Sequence, residues 1–193
     1  NNIAHLSYYR KDDSLNKTYI CYARREDTGW ITEVVDSKMG SLGNWFWHYN
    51  SSIDLDTSGL PGIAYVAWNI EDSIQYIKYA HYNDTGWDTS IVEYDSLWTG
   101  WGPSDWCPSL KFDSNNRSHI ALYQCSWGAN DSLKYYYCDN LNNWIIDWVT
   151  YLGPAGGTFS LELALSSEGY PNIAYDYDGS LAYTWWDGIS WHT

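Results

Sequence analysis

Ser52-Ile-Asp-Leu-Asp-Thr-Ser-Gly-Leu-Pro-Gly-Ile-Ala-Tyr65 reads as a short alternating strand, a turn, and a second strand that opens on Ile-Ala. The phrase returns in register twice, at Ser109-Leu-Lys-Phe-Asp-Ser-Asn-Asn-Arg-Ser-His-Ile-Ala-Leu122 and at Glu162-Leu-Ala-Leu-Ser-Ser-Glu-Gly-Tyr-Pro-Asn-Ile-Ala-Tyr175. A fourth Ile-Ala stands at Ile3-Ala4, without the strand that precedes it elsewhere. Recurrence in register over a period of about 50 residues marks a repeat architecture.

Each copy continues into a third strand and a turn that ends on tryptophan. Tyr19-Ile-Cys-Tyr-Ala-Arg-Arg-Glu-Asp-Thr-Gly-Trp30 matches Tyr76-Ile-Lys-Tyr-Ala-His-Tyr-Asn-Asp-Thr-Gly-Trp87, with weaker copies ending at Trp144 and Trp191. Glu33-Val-Val-Asp36, Ser90-Ile-Val-Glu93 and Asp147-Trp-Val-Thr150 then supply a fourth strand. Four short strands per period are the pattern of propeller blades. The prediction is an all-β chain, a single β-propeller domain over 1–193 with about four four-stranded blades. The repeats fall at approximately 1–48, 49–106, 107–157 and 158–193. The first lacks its first strand and the last ends before its fourth, so fourteen strands are expected, and the open edges invite strand addition from another chain. The repeat tryptophans are expected to pack in the core.

Composition agrees with β structure. Trp and Tyr number 14 and 19, against three Phe and one Met, and such residues suit half-buried sheet faces. A net charge of −14 repels phosphate backbones, which argues against nucleic acid as a partner. No apolar run is long enough to span a bilayer, so membrane insertion is not expected. The chain begins at Asn1 without a signal-like segment and reads as a processed or excised form.

The phrase Gly59-Leu-Pro61, Ile63-Ala-Tyr65, Lys78-Tyr-Ala80 and Gly86-Trp87 resembles propeller-like repeats of secreted bacterial and archaeal proteins. It is more distantly similar to the propeller lectins that carry a tryptophan in each blade. The resemblance implies a propeller fold over nearly the whole chain; no lectin sugar-binding residue matches position by position.

The cysteines are Cys21, Cys107, Cys125 and Cys138. An even number in a chain of this class points to an oxidising, extracellular or cell-surface location. Counting outward from the turn at Asn115-Asn116 sets Cys107 opposite Cys125, and a disulfide is expected there. Asn16, Asn50, Asn83, Asn116 and Asn130 are glycosylation acceptors by sequence, mostly in turns. Asp54-Leu-Asp56-Thr-Ser-Gly59 and Asp176-Tyr-Asp178-Gly179 resemble calcium loops, but the first is not repeated in the other blades and turn chemistry accounts for both. No metal or cofactor is implied.

Two long connections are dense in aromatics. Trp45, Phe46, Trp47 and Tyr49 lie in one, and Trp98, Trp101 and Trp106 in the other. Such residues would either fold back to cap the core or contact a ligand or a neighbouring subunit. The four arginines, Arg10, Arg24, Arg25 and Arg117, are scattered, the histidines lack zinc-protease spacing, and no Gly-x-Ser-x-Gly elbow occurs. The expectation is therefore a non-enzymatic structural module of an extracellular filament or surface layer, joined head to tail to copies of itself. The alternative is a carbohydrate-binding lectin or adhesin with glycans as partners.

Overall fold

The computed structural model describes residues 3–15, 17–39, 50–69, 74–95, 106–124, 131–139, 141–153 and 160–193. They form fifteen strands in four antiparallel sheets, a four-bladed β-propeller fold. Blade 1 holds β1 (His5–Asp12), β2 (Lys17–Glu26) and β3 (Gly29–Met39). Blade 2 holds β4 (Ser51–Leu55), β5 (Pro61–Asn69), β6 (Ile74–Tyr82) and β7 (Trp87–Asp95). Blade 3 holds β8 (Trp106–Phe112), β9 (Ser118–Gln124), β10 (Asp131–Cys138) and β11 (Trp144–Gly153). Blade 4 holds β12 (Leu161–Leu165), β13 (Pro171–Tyr177), β14 (Ser180–Trp186) and β15 (Trp191–His192). Among the described residues blade 1 has three strands, and blade 4 begins its fourth, since Trp185 and Trp186 pair with His192 and Trp191. The strand count is thus fifteen rather than fourteen among the described residues.

One turn chemistry closes the first hairpin of blades 2, 3 and 4. Asp56 Oδ1 accepts from the Ser58 and Leu60 amides, Asp113 Oδ1 from Asn115 and Arg117, and Ser166 Oγ from Glu168 and Tyr170. The fourth position of each turn has positive φ, filled by Gly59 (81°), Asn116 (61°) and Gly169 (83°), residues that tolerate the left-handed region. Asp54 Oδ2 accepts from the Phe112 amide at 2.9 Å, so the calcium-like loop is a turn plus a blade-to-blade contact.

That turn also overturns the expected disulfide. Its closing bond, Asp113 N to Arg117 O, centres the hairpin on Asn115 and sets Cys107 opposite Tyr123. Cys107 is a free thiol, as are Cys21 and Cys138, and Cys125 lies outside the described residues.

Alternation sends successive residues to opposite blade faces, and each face packs on a different neighbour. Ile63, Tyr65 and Ala67 meet Ile20 and Tyr22 of blade 1, whereas Ala64 and Val66 meet Ile120 and Leu122 of blade 3. Ala121 and Tyr123 turn instead to Leu163 and Ile173 of blade 4. Ile63, Ile120 and Ile173, the isoleucines of the repeat phrase, are fully buried, each contributing about 1.5–3 kcal/mol by removal from water.

Three polar handles recur between blades. Ser52 Oγ accepts from Leu110 N, and Ser109 Oγ from Leu163 N, both at 3.0 Å. The indoles of Trp87, Trp144 and Trp191 pack edge-on against Tyr22, Tyr79 and Tyr135 of the preceding blade. They donate to Glu33, Ser90 and Asp147 of that same blade. Lys78 pairs with Asp36, and Lys134 with Glu93 at 2.6 Å. The phrases Glu33-Val-Val-Asp36 and Ser90-Ile-Val-Glu93 thus carry both the indole acceptor and the ammonium partner. At the blade 3–4 interface, Ala182 and Thr150 take the places of the lysine and the acid, so both charges are lost together.

Candidate functional site

The first strand pair and the last strand pair of each blade turn at the same end of the sheet, and grooves open there between adjacent blades. The groove between blades 2 and 3 has a volume of about 510 Å3. Its walls are mainly polar, with His81, Asp88, Ser90, Asn115, Arg117 and Asp139 around the partly buried Trp144.

The groove between blades 3 and 4, about 390 Å3, has a different character. Tyr137, Tyr170, Trp186 and Trp191 converge on it, with Arg117 and Asp147 as polar groups. Each wall has a distinct origin. Trp191 is the repeat tryptophan of blade 4, held by its indole bond to Asp147 Oδ2 at 2.9 Å. Trp186 stands edge-on to it, with ring centroids 5.7 Å apart. Tyr170 closes the Ser166 turn and is exposed. Tyr137 lies opposite His119 and stacks on its ring at 6.4 Å.

Arg117 borders both grooves. Its Nε donates to Asp113 Oδ2 at 2.7 Å, which fixes the guanidinium. Behind it, buried His119 shares a hydrogen bond with the Tyr135 hydroxyl. Burial pushes the His119 pKa down, against the opposing pull of Asp113. Burial likewise pushes the Tyr135 hydroxyl up, so both rings are neutral near pH 7. Asp113 keeps a lowered pKa despite its burial because Arg117 and turn amides hydrogen-bond the carboxylate.

Trp45, Phe46, Trp47, Tyr49, Trp98 and Trp101 lie outside the described residues. Trp106 is 0% exposed, packed among Leu110, Ile120 and Leu122, so it is core rather than a contact surface. Of the glycosylation acceptors, Asn16 and Asn130 are outside the described residues. Asn50 donates its side-chain amide to Trp106 O at 3.0 Å, a bond a glycan would have to displace. Asn83 and Asn116 sit in exposed turns. Arg117, Tyr170 and Trp186 went unselected because the groove joins residues of different blades.

No family model and no curated protein matches this chain. Solved structures do. A Hadza microbial sialidase aligns over 98% of this chain and 43% of its own, with TM-score 0.63 and 10% identity. The fold is a β-propeller. An α-L-arabinanase of Penicillium chrysogenum, solved with arabinobiose, aligns over 95% of this chain and 56% of its own, with TM-score 0.58 and 14% identity. The chain therefore spans about half the length of these two enzymes. A fucose lectin of Kordia zhangzhouensis, in complex with methyl-fucoside, aligns over 74% of this chain and 89% of its own, with TM-score 0.41 and 21% identity. The expectation of a non-enzyme does not stand, because glycoside hydrolases share the fold. Motif spacing is blind to groups that a propeller draws from separate blades. Among the described residues no helix is long and apolar enough to cross a membrane.

Proposed function

We propose that this protein recognises carbohydrate, and that the groove between blades 3 and 4 is its binding site. The observation that carries the reading is the convergence of Tyr137, Tyr170, Trp186 and Trp191 with Arg117 and Asp147. Aromatic faces stack on the C–H faces of a sugar ring, and a few fixed polar groups select its hydroxyls. The volume suits one or two sugar units. The strongly acidic chain disfavours sialic and uronic acids, so the ligand class is a neutral glycan. Extracellular or cell-surface placement, where such glycans are displayed, belongs to the same proposal.

This reading is preferred to the filament subunit because the groove is a built concave site, whereas Trp106, one of the aromatics assigned to assembly, is buried in the core. The test is an array of neutral mono- and oligosaccharides, followed by tryptophan fluorescence titration with each hit. Binding should shift the fluorescence and weaken at least tenfold in Trp186→Ala, whose ring is only partly buried. Absence of any neutral-sugar binding, or full binding by both Trp186→Ala and Arg117→Ala, overturns it.

A further inference from the structure

The two end blades each keep a face whose counterparts elsewhere are buried. In blade 4, Leu181, Tyr183 and Trp185 point away from blade 3 and are exposed, Leu181 by 84% and Tyr183 by 48%. In blade 1, Leu6, Trp30 and Val34 point away from blade 2 and are exposed, Trp30 by 45%.

These faces are complementary halves of one repeated contact. Tyr183 lies opposite Ala174 as Tyr79 lies opposite Ala64 and Tyr135 opposite Ala121, and both of those tyrosines receive the tryptophan of the next blade. Trp30 is the repeat tryptophan of blade 1, equivalent to Trp87, Trp144 and Trp191. One end therefore offers the tyrosine and the other the tryptophan. Charge matches as well. The blade 1 face carries Arg10 and Arg25, two of the four arginines of a chain with net charge −14. The blade 4 face carries Asp176, and at its inner edge Glu162, which is 3.4 Å from Lys111 of blade 3.

We infer that the outer face of blade 4 binds the outer face of blade 1 of a second copy of this chain, head to tail, with Trp30 of one copy packed against Tyr183 of the other. The contact is face to face, not the edge-strand pairing expected from sequence. It is heterologous, since each copy uses a different surface, and gives a closed ring or a filament according to its rotation.

Sedimentation velocity over a concentration series of the 193-residue chain tests this. The chain should associate as concentration rises and less so at high salt, and Trp30→Ala or Tyr183→Ala should each weaken association at least about tenfold. Both side chains are about half exposed, and near-ultraviolet circular dichroism checks that the fold survives. Mixing the two variants leaves one intact interface, between the native Trp30 of one and the native Tyr183 of the other, and should yield dimers and nothing larger. A monomer at every soluble concentration overturns the proposal. So does association that neither substitution affects, or a mixture that remains monomeric.

Discussion

Lys134 Nζ lies 2.6 Å from Glu93 Oε1 and 4.4 Å from the Trp148 ring centroid, joining blades 2 and 3 through a buried ammonium. The side chains are 4% and 23% exposed, so water screens the pair weakly. Removing one member strands the other charge at the interface. Lys134→Met should destabilise by about 3 kcal/mol, and Lys134→Met/Glu93→Leu should recover most of that loss. Urea denaturation of the two singles and the double, read as a double-mutant cycle, measures it. A double no more stable than the lysine variant would contradict a charge-pairing role. The neutral Ala182 and Thr150 at the next interface show that the fold accepts the uncharged arrangement.

The repeat tryptophans combine a packing role with a single hydrogen bond. Trp191→Phe keeps an aromatic ring against Tyr135 but deletes the bond to Asp147, and should cost about 1–2 kcal/mol. Trp191→Ala removes the ring as well and should cost about 3–5 kcal/mol. Thermal melting ranks the two. Equal losses would show that the ring contributes nothing beyond its indole bond.

Cys107 should react as a thiol. Alkylation of the denatured, unreduced protein, with peptide mapping by mass spectrometry, should label Cys21, Cys107 and Cys138. Labelling of the native protein near neutral pH should be slow, because burial raises all three thiol pKa values and lowers the thiolate fraction. A Cys107–Cys125 peptide would contradict the free thiol.

Stability should fall in two stages on acidification. His119 titrates below the ordinary histidine value of 6.5 in the fold because burial disfavours the imidazolium. Below that pH the unfolded chain therefore binds more protons, so stability drops as pH falls from 6.5 toward the depressed folded value. The second stage comes from carboxylates. Asp139 is lowered by its bond from the Asn143 amide, and Asp187, to about 2, by the Ser190 amide and then by His192. Their contribution is present above the ordinary aspartate value of 3.8 and lost as pH falls through the folded values. Denaturation midpoints against pH should show both limbs, and His119→Gln should flatten the upper one.

Much of this molecule is legible along the chain because sheets are periodic. The alternation around Ile63, the Ile-Ala phrase and the repeat tryptophans specify strand, turn and blade, since each depends on neighbours a few residues away or on one repeat. Even so, a one-residue difference in where the Asp113 turn centres was enough to misplace the partner of Cys107. Side-chain facing has a period of two, and hairpin register depends on the turn's own hydrogen bonds.

The sequence by itself determined an all-β repeat protein, its blade order and the tryptophan that recurs in each blade. Only the tertiary structure decided that Glu33 and Asp147 receive indoles, that Lys134 meets Glu93, and that Trp106 is core. It alone brought Arg117 beside Asp147, Tyr170 and Trp186, and left Trp30 and Tyr183 uncovered at opposite ends. The physical reason is common to all of these. They arise across faces between blades, where distance depends on how whole sheets pack and not on any spacing along the chain.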